Sequence, residues 1–310
     1  MIGIFDSGFG GLTILQQIRS VLPEYDYLYL GDNARAPYGT RSFECIYRYT
    51  LEAVQYLFDH GSSLVILACN TASAKALRTI QQNDLPRINS LLSTSESLSP
   101  LPKGVRGCVL PKGARGCYNV LGVIRPTVEV VPSLTRSGHV GVLATPGTVA
   151  SDSYRIELKK QDSSLIITQQ ACPMWVPLIE AGEHLNPGAD YFVDLYLQEI
   201  LNRDPLIDTL VLGCTHYPLL LPKIEAALKR ITAELAANGL SQGSQPCVAL
   251  PQGRLVADSL ADYLRRHPEY EAPLTRGGSC RYLTTDDARR FEQAATLFLG
   301  EPIQAEHVEY

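Results

Sequence analysis

The chain has 310 residues, of which 45% are hydrophobic and 19% are charged, and its formal net charge is −5. This size and composition allow one large or two ordinary globular domains with buried cores. The mildly acidic balance argues against nucleic acid or an anionic membrane surface as a partner, because both select basic surfaces.

The N-terminal residues lack a basic segment followed by a long apolar one, and no apolar run approaches the ~18 residues that span a bilayer. We therefore expect a soluble cytoplasmic protein. The eight cysteines form no C-x-x-C pair, and a chain of this length needs no disulfides to stabilise its core. Reduced thiols and no metal site are expected.

Apolar runs alternate with amphipathic stretches in the first part of the chain. The pattern predicts strands over 1–6, 26–31 and 63–68 and helices over 11–21, 41–59 and 71–82. Because parallel strands need helical crossovers, this order indicates an α/β unit with a parallel sheet.

Residues 86–118 interrupt this alternation of strands and helices. They contain a tandem near-repeat, Leu101–Val109 followed by Leu110–Tyr118. Its cations and two cysteines could form a metal or nucleic-acid patch, but two thiols without further ligands make a poor zinc site. Its Pro and Gly residues are typical of surface loops, so a surface insertion is the favoured interpretation.

A second α/β rhythm follows. Strands are predicted over 119–124, 139–144, 165–170 and 207–213, and helices over 148–160, 188–202 and 218–237. Farther on, the pattern predicts helices over 252–266 and 286–299 and strands over 279–284 and 305–310. The predicted fold is α/β, with two similar doubly wound parallel-sheet domains: 1–86 completed by 250–310, then 119–249, with 87–118 as the insertion or linker.

Two strand ends carry a cysteine where a helix is predicted to begin, Cys69 and Cys214. A helix N-terminus favours a thiolate, since its N–H groups are unpaired and carry partial positive charge. One such thiol from each domain could act on opposite faces of a small substrate, with the active site in the cleft between the domains. The alternative is two ordinary buried cysteines at the ends of parallel strands.

Polar residues at other strand ends are further candidates. Asp6 and Ser7 precede a glycine-rich turn and a helix, where backbone N–H groups could bind a carboxylate. The G-x-G-x-x-G and P-loop patterns are not met there. Thr145 and Thr148 begin a helix in the second unit and offer hydroxyl donors.

The loop 31–39 follows the second strand, and such loops bind ligands in α/β sheets. A plain turn in which Asp32 pairs with Arg35 is the alternative. His216 is a candidate activator or proton donor beside Cys214. Composition alone indicates that Glu180 is a helix-surface carboxylate.

Four segments, in this order along the chain, resemble the signature of the bacterial glutamate racemase family within the aspartate/glutamate racemase superfamily. They are Asp6–Gly8, Pro37–Gly39, Ala68–Ser73 and Gly213–Leu220. His216 favours glutamate, because the related aspartate racemases tend to carry an acidic residue there. Asn33 stands where the family would have threonine, and the insertion is longer than the usual connection.

The resemblance implies cofactor-independent racemisation of L- and D-glutamate, which supplies D-glutamate for peptidoglycan, in a cytoplasmic homodimer. It makes Cys69 the acid/base residue for D-glutamate, supported by Asp6, and Cys214 the one for L-glutamate, supported by Glu180 and His216. The implied substrate contacts are Asp6, Ser7, Pro37, Tyr38, Gly39, Asn70, Thr71, Thr145, Thr148, Thr215 and His216.

Three alternatives stay open on the sequence. A racemase or decarboxylase of the same superfamily would act on aspartate, hydantoins or arylmalonates. A cysteine hydrolase would use only Cys214 and His216. An amino-acid binding module would leave both cysteines without a chemical role.

Overall fold

The computed structural model describes residues 1–93, 118–237, 239 and 247–310. Two compact units divide the chain, one formed by Met1–Val123 with Val256–Tyr310 and the other by Ile124–Leu255. The tandem repeat predicted to form a surface insertion lies outside the described residues, apart from Tyr118. Within the described part of the chain, no helix is both long and apolar enough to cross a membrane.

The described residues form ten strands and fourteen α-helices. The strands are β1 (Ile2–Asp6), β2 (Tyr27–Gly31), β3 (Leu64–Leu67), β4 (Asn119–Gly122), β5 (His139–Ala144), β6 (Ile166–Ala171), β7 (Thr209–Gly213), β8 (Val248–Leu250), β9 (Cys280–Thr284) and β10 (Ala305–His307). The helices are α1 (Leu12–Val21), α2 (Phe43–Asp59), α3 (Asn70–Lys75), α4 (Leu77–Thr79), α5 (Leu85–Ser93), α6 (Ile124–Leu134), α7 (Pro146–Ala150), α8 (Ser153–Gln161), α9 (Trp175–Glu180), α10 (Pro187–Arg203), α11 (Leu221–Ala237), α12 (Gly253–Arg266), α13 (Pro268–Glu271) and α14 (Ala288–Leu299).

Each unit contains one sheet whose strands are all parallel. The first sheet has the order β10-β9-β2-β1-β3-β4 and the second has the order β6-β5-β7-β8. Within both sheets the chain adds a strand on one side of its first strand and then continues on the other side. The predicted fold class, two α/β units with doubly wound parallel sheets, is confirmed.

The strand β4 pairs with β3 in the first sheet, with Leu64 opposite Asn119. The prediction that the second domain begins at residue 119 is therefore wrong for this strand. Apolar patterning identifies a strand but not its neighbour, because parallel pairing is set by a crossover distant in sequence. At the other end of the sheet, β9 pairs with β2 and β10 pairs with β9, so the C-terminal strands extend the first sheet.

Proline obscures several helices in the sequence pattern. Pro126 lies in the first turn of α6, where a missing N–H costs little. Pro86 follows directly on the π-helical segment Ile80–Asp84, which runs into α5 without a break. Regular structure therefore continues past residue 86, where a loop was expected, and Leu85 and Ile88 of α5 pack against the core of the first unit. The single helix predicted over 148–160 is α7 and α8, separated at Asp152, whose φ of 54° is left-handed.

Candidate active site

Both sheets have a switch point, where the chain reverses the direction in which it adds strands. It lies between β1 and β3 in the first unit and between β5 and β7 in the second. The carboxyl ends of strands at such a point form the usual ligand crevice of open α/β sheets. Cys69 follows β3 and Cys214 follows β7, so the two thiols occupy equivalent places in their own sheets.

Cys69 is the N-cap residue of α3 and only 6% exposed. Its Sγ accepts a hydrogen bond from the amide of Ala72 at 3.4 Å and lies 3.3 Å from Ser7 Oγ. The structure thus brings two predicted residues together and directs a backbone donor at the sulfur, as the sequence pattern predicted. Asn70 and Thr71 follow in the first turn of α3 and are buried.

Asp6 ends β1 and is buried, and its Oδ2 accepts a hydrogen bond from the amide of Gly8 at 3.0 Å. Gly11 has no space for a side chain, because a Cβ there would lie 2.5 Å from the Cβ of Asp6. Behind this turn, burial raises the pKa of Tyr29 well above its usual value, and the nearby charges of Asp6 and Cys69 raise it further. The glycine-rich turn therefore packs closely around the carboxylate of Asp6.

Asp32 organises the loop after β2 and is fully buried. Its Oδ2 accepts hydrogen bonds from Arg35 Nε at 2.7 Å and from the Tyr38 hydroxyl, and its Oδ1 accepts one from Thr285 Oγ1 at 3.0 Å. The Asp32–Arg35 pair considered as an alternative is present. Burial, followed by the charge of Asp32 and the hydrogen bond to it, raises the pKa of Tyr38.

The substrate contacts predicted in this loop differ in accessibility. Tyr38 is buried and its hydroxyl donates to Asp32, whereas Pro37 is exposed and Gly39 is half-buried. We therefore expect this loop to offer its backbone to a ligand and to use the Tyr38 side chain to hold its own shape.

In the second unit, Cys214 is 5% exposed and its Sγ lies 3.9 Å from His216 Nδ1. The other ring nitrogen of His216, Nε2, lies 3.0 Å from Glu180 Oε1. Glu180 ends α9, and its side chain is 34% exposed. Composition alone indicated that Glu180 is a helix-surface carboxylate. In the structure, this carboxylate contacts His216, and His216 contacts the thiol of Cys214.

His216 is buried and lies between two groups that can be negatively charged. Burial alone lowers its pKa, but the hydrogen bonds with Cys214 and Glu180 and the charges of both groups outweigh burial and raise the pKa to about 10. The ring is therefore an imidazolium at neutral pH. A cation thus lies 3.9 Å from the sulfur of Cys214.

The remaining predicted residues of the second unit lie at the ends of β5 and β7. Thr145 caps α7, accepting a hydrogen bond from the amide of Thr148 at 3.3 Å, and the two hydroxyls are 3.0 Å apart. Thr148 and Thr215 are both buried. Thr145 and Thr148 thus lie at a helix start, and their role as donors for an anionic group stays a prediction.

Two features of the second unit were missed in the sequence. Cys172 directly follows β6, and burial, with the nearby charge of Cys214, raises its pKa well above the usual value. The signal for it was the Ala171-Cys172 step at the end of a predicted strand. Tyr154 packs against the backbone before Cys214, since a Cβ on Gly213 would lie 3.0 Å from its Cε2, and Gln252 donates to the Tyr154 hydroxyl at 2.6 Å.

Comparison with known proteins identifies the family. The chain is 37% identical over 315 residues to the glutamate racemase of a Ruegeria species, with 98% of each chain covered. This chain belongs to the glutamate racemase family. No family model matches it. The family and the enzyme class predicted from the four motifs are confirmed.

Solved structures of the glutamate racemase family share its fold. The crystal structure of a glutamate racemase isoform from Bacillus anthracis has a TM-score of 0.77 at 29% identity and covers 100% of this chain and 97% of its own. The glutamate racemase of Francisella tularensis, solved in complex with D-glutamate, has a TM-score of 0.76 at 27% identity and covers 99% and 97%.

Proposed function

We propose that this protein interconverts L- and D-glutamate, with Cys69 and Cys214 exchanging the α-proton and no cofactor taking part. The observation that carries the proposal is the equivalent placement of the two thiols, each at the switch point of its own sheet with a polar partner. Membership of the glutamate racemase family supports glutamate as the substrate.

In the L-to-D direction, the thiolate of Cys214 takes the α-proton, so that an S–H bond forms as the C–H bond breaks. The electron pair of that bond passes onto the α-carbon and its carboxylate. The thiol of Cys69 then donates its proton to the opposite face and becomes the thiolate. The D-to-L direction reverses these steps. The two sulfurs together carry one negative charge before and after the reaction, and in between that charge lies on the substrate carbanion.

Neighbouring groups support each thiol. His216 compensates the negative charge of Cys214, and Glu180 holds the ring. We propose that Asp6 supports proton transfer at Cys69, together with the hydroxyl of Ser7, which lies 3.3 Å from the Cys69 sulfur. The residues proposed to bind the ammonium and the two carboxylates of glutamate are Asp6, Ser7, Pro37, Tyr38, Gly39, Asn70, Thr71, Thr145, Thr148, Thr215 and His216.

An amino-acid α-proton is far less acidic than a thiol, so the site has to stabilise the carbanion. Hydrogen bonds directed at the carboxylate as it gains enediolate character lower the barrier most when water is excluded. The buried hydroxyls of Thr71, Thr148 and Thr215 suit this role. We further propose that the product supplies peptidoglycan synthesis in the bacterial cytoplasm and that the enzyme is a homodimer.

Proton exchange in heavy water tests the mechanism. Pure L- or D-glutamate is given to the wild type, Cys69→Ser and Cys214→Ser without added cofactor, and deuterium at the α-carbon is followed by NMR. The wild type should convert each enantiomer with solvent deuterium, and each variant should lose conversion. Cys45→Ser, a half-buried free cysteine in α2, is the control and should convert normally.

The same variants separate the alternatives. A hydrolase that used only Cys214 and His216 would be unaffected by Cys69→Ser and would form an acyl-enzyme with activated esters. A binding module would bind glutamate tightly without exchange. Absence of exchange in the wild type would refute the racemase proposal. Faster exchange with aspartate than with glutamate would instead indicate the activity of another member of the superfamily.

A further inference from the structure

Tyr310 lies against Arg35 of the loop after β2. The Arg35 guanidinium carbon is 4.9 Å from the centre of the Tyr310 ring and 4.3 Å from that of Tyr49. Tyr310 also packs on Tyr56, with ring centres 4.9 Å apart. Arg35 forms an ion pair with Glu52 as well. The guanidinium is thus held by two aromatic rings and a carboxylate, all within the first unit.

The tail that carries Tyr310 is attached to the same strand end that holds Asp32. The amide of Val308 donates to the carbonyl of Thr284 at 2.9 Å. The next residue, Thr285, donates its hydroxyl to Asp32 Oδ1 at 3.0 Å. The backbone hydrogen bond at Thr284 therefore links the tail that carries Tyr310 to the segment whose next residue, Thr285, binds Asp32.

From Arg35 the contacts continue to the proposed glutamate-binding loop. Arg35 Nε donates to Asp32 Oδ2 at 2.7 Å, and the same oxygen accepts from the Tyr38 hydroxyl. The Tyr38 ring belongs to the buried cluster that also contains Cys69 and Phe5. Arg35 and Tyr38 thus share one oxygen of the Asp32 carboxylate.

We propose that Tyr310 is a positioning residue for glutamate binding. By restricting Arg35, it keeps Asp32 and Tyr38 in place and so fixes the backbone of the loop 37–39. An arginine side chain loses rotamer freedom when it is held, and contact with aromatic rings offsets that loss. The inference rests on the proposed function, because the loop is a substrate contact only if glutamate is the substrate.

The kinetic consequence is a change in KM. A loop that contacts both the bound substrate and the transition state contributes uniform binding, so loosening it raises KM and leaves kcat nearly unchanged. The whole energy of one partly exposed cation–π contact corresponds to a roughly 3- to 20-fold change in affinity, which is the upper bound on the rise in KM. Because the two enantiomers are present in equal amounts at equilibrium, kcat/KM falls by the same factor in both directions.

The experiment compares Tyr310→Ala, Tyr310→Phe and Glu309→Ala. KM and kcat are measured with L- and D-glutamate, and hydrogen exchange of the peptide covering 32–41 is followed by mass spectrometry. Tyr310→Ala should raise KM and speed exchange in this peptide. Tyr310→Phe keeps the ring but loses the hydroxyl hydrogen bond to Arg35, so its KM should lie between those of the wild type and Tyr310→Ala. Glu309→Ala, whose side chain is 92% exposed, should stay close to the wild type.

A double-mutant cycle tests the route through Arg35. Arg35→Lys keeps the charge but loses the planar fork, so adding Tyr310→Ala to it should produce little further rise in KM. Additive effects, or a fall in kcat alone, would overturn the proposal. So would unchanged KM and exchange in Tyr310→Ala. If the wild type failed to racemise glutamate, the proposed function would fail, whereas the exchange of peptide 32–41 would still test whether Tyr310 fixes the loop.

Discussion

Replacing Glu180 by glutamine tests the role of its charge at the second thiol. Glu180 Oε1 lies 3.0 Å from His216 Nε2, and glutamine keeps the size and an acceptor oxygen but carries no charge. Since the pKa of His216 is raised to about 10 partly by this carboxylate, we expect Glu180→Gln to lower it. The imidazolium of His216 beside Cys214 then persists over a narrower range of pH.

The structure sets the size of this effect. A hydrogen bond between charged groups contributes about 1.5–3 kcal/mol when it is well protected from water. The Glu180 side chain is 34% exposed, so solvent screening places the contribution near the lower end. A loss of about 1.4 kcal/mol corresponds to about one pH unit. We therefore expect the pKa of His216 to fall by about one unit and the loss of activity at alkaline pH to begin about one unit earlier.

Titration of the ring nitrogens by NMR measures the change directly. The protein is labelled with nitrogen-15 histidine, and His216→Asn assigns the signal among the six histidines. Glu183→Gln is the matched control, because Glu183 lies three residues away and contacts Asn186 rather than His216. An unchanged titration of His216 in Glu180→Gln, or an equal shift in the control, would show that the carboxylate does not hold the imidazolium.

Further predictions concern stability and assembly. The pKa of His216 is raised from 6.5 to about 10, so the stability that its charge contributes is complete below pH 6.5 and is lost as the pH rises to about 10. In urea titrations, the difference in unfolding free energy between the wild type and His216→Asn should therefore shrink across this pH range. Gly141→Ala should lose about 1–3 kcal/mol in the same assay, because its Cβ would lie 2.3 Å from Leu210 Cδ2, whereas Gly188→Ala, with no atom within 4 Å, should not. Light scattering should show a dimer at micromolar concentration, and only monomer would contradict the proposed homodimer.

Local chemistry explains why much of the fold and the site could be predicted. Buried parallel strands need continuous apolar runs, so β1, β3 and β7 stand out in the sequence. The residues that follow such strands lie at the carboxyl edge of the sheet, where α/β sheets usually bind ligands, and this rule made Cys69 and Cys214 candidates. The helix caps at Cys69 and Thr145 also follow from residue type at a helix start.

The rest depends on contacts between residues distant in sequence. The partner of β4 is decided by a crossover, and no local pattern reports it. Glu180 meets His216 across 36 residues of chain, and only the family resemblance linked them beforehand. The contact between Arg35 and Tyr310 also joins residues that are distant in sequence. In the sequence, each of them alone is like an ordinary surface residue.

The strands β2-β1-β3-β4 of the first sheet and β6-β5-β7-β8 of the second share one topology, yet the two sheets give their thiols different partners. Cys69 has a hydroxyl and the amide of a helix start, whereas Cys214 has an imidazolium held by a carboxylate. A chemically symmetric reaction needs two bases but not two identical surroundings, because each base only has to exchange its own proton with one face of the planar carbanion. Equivalent positions at the two switch points fix where the thiols lie, and the residues that follow each strand give them different neighbours. Exchanging the partners should therefore alter the balance between kcat and KM in the two directions while leaving the equilibrium between the enantiomers unchanged.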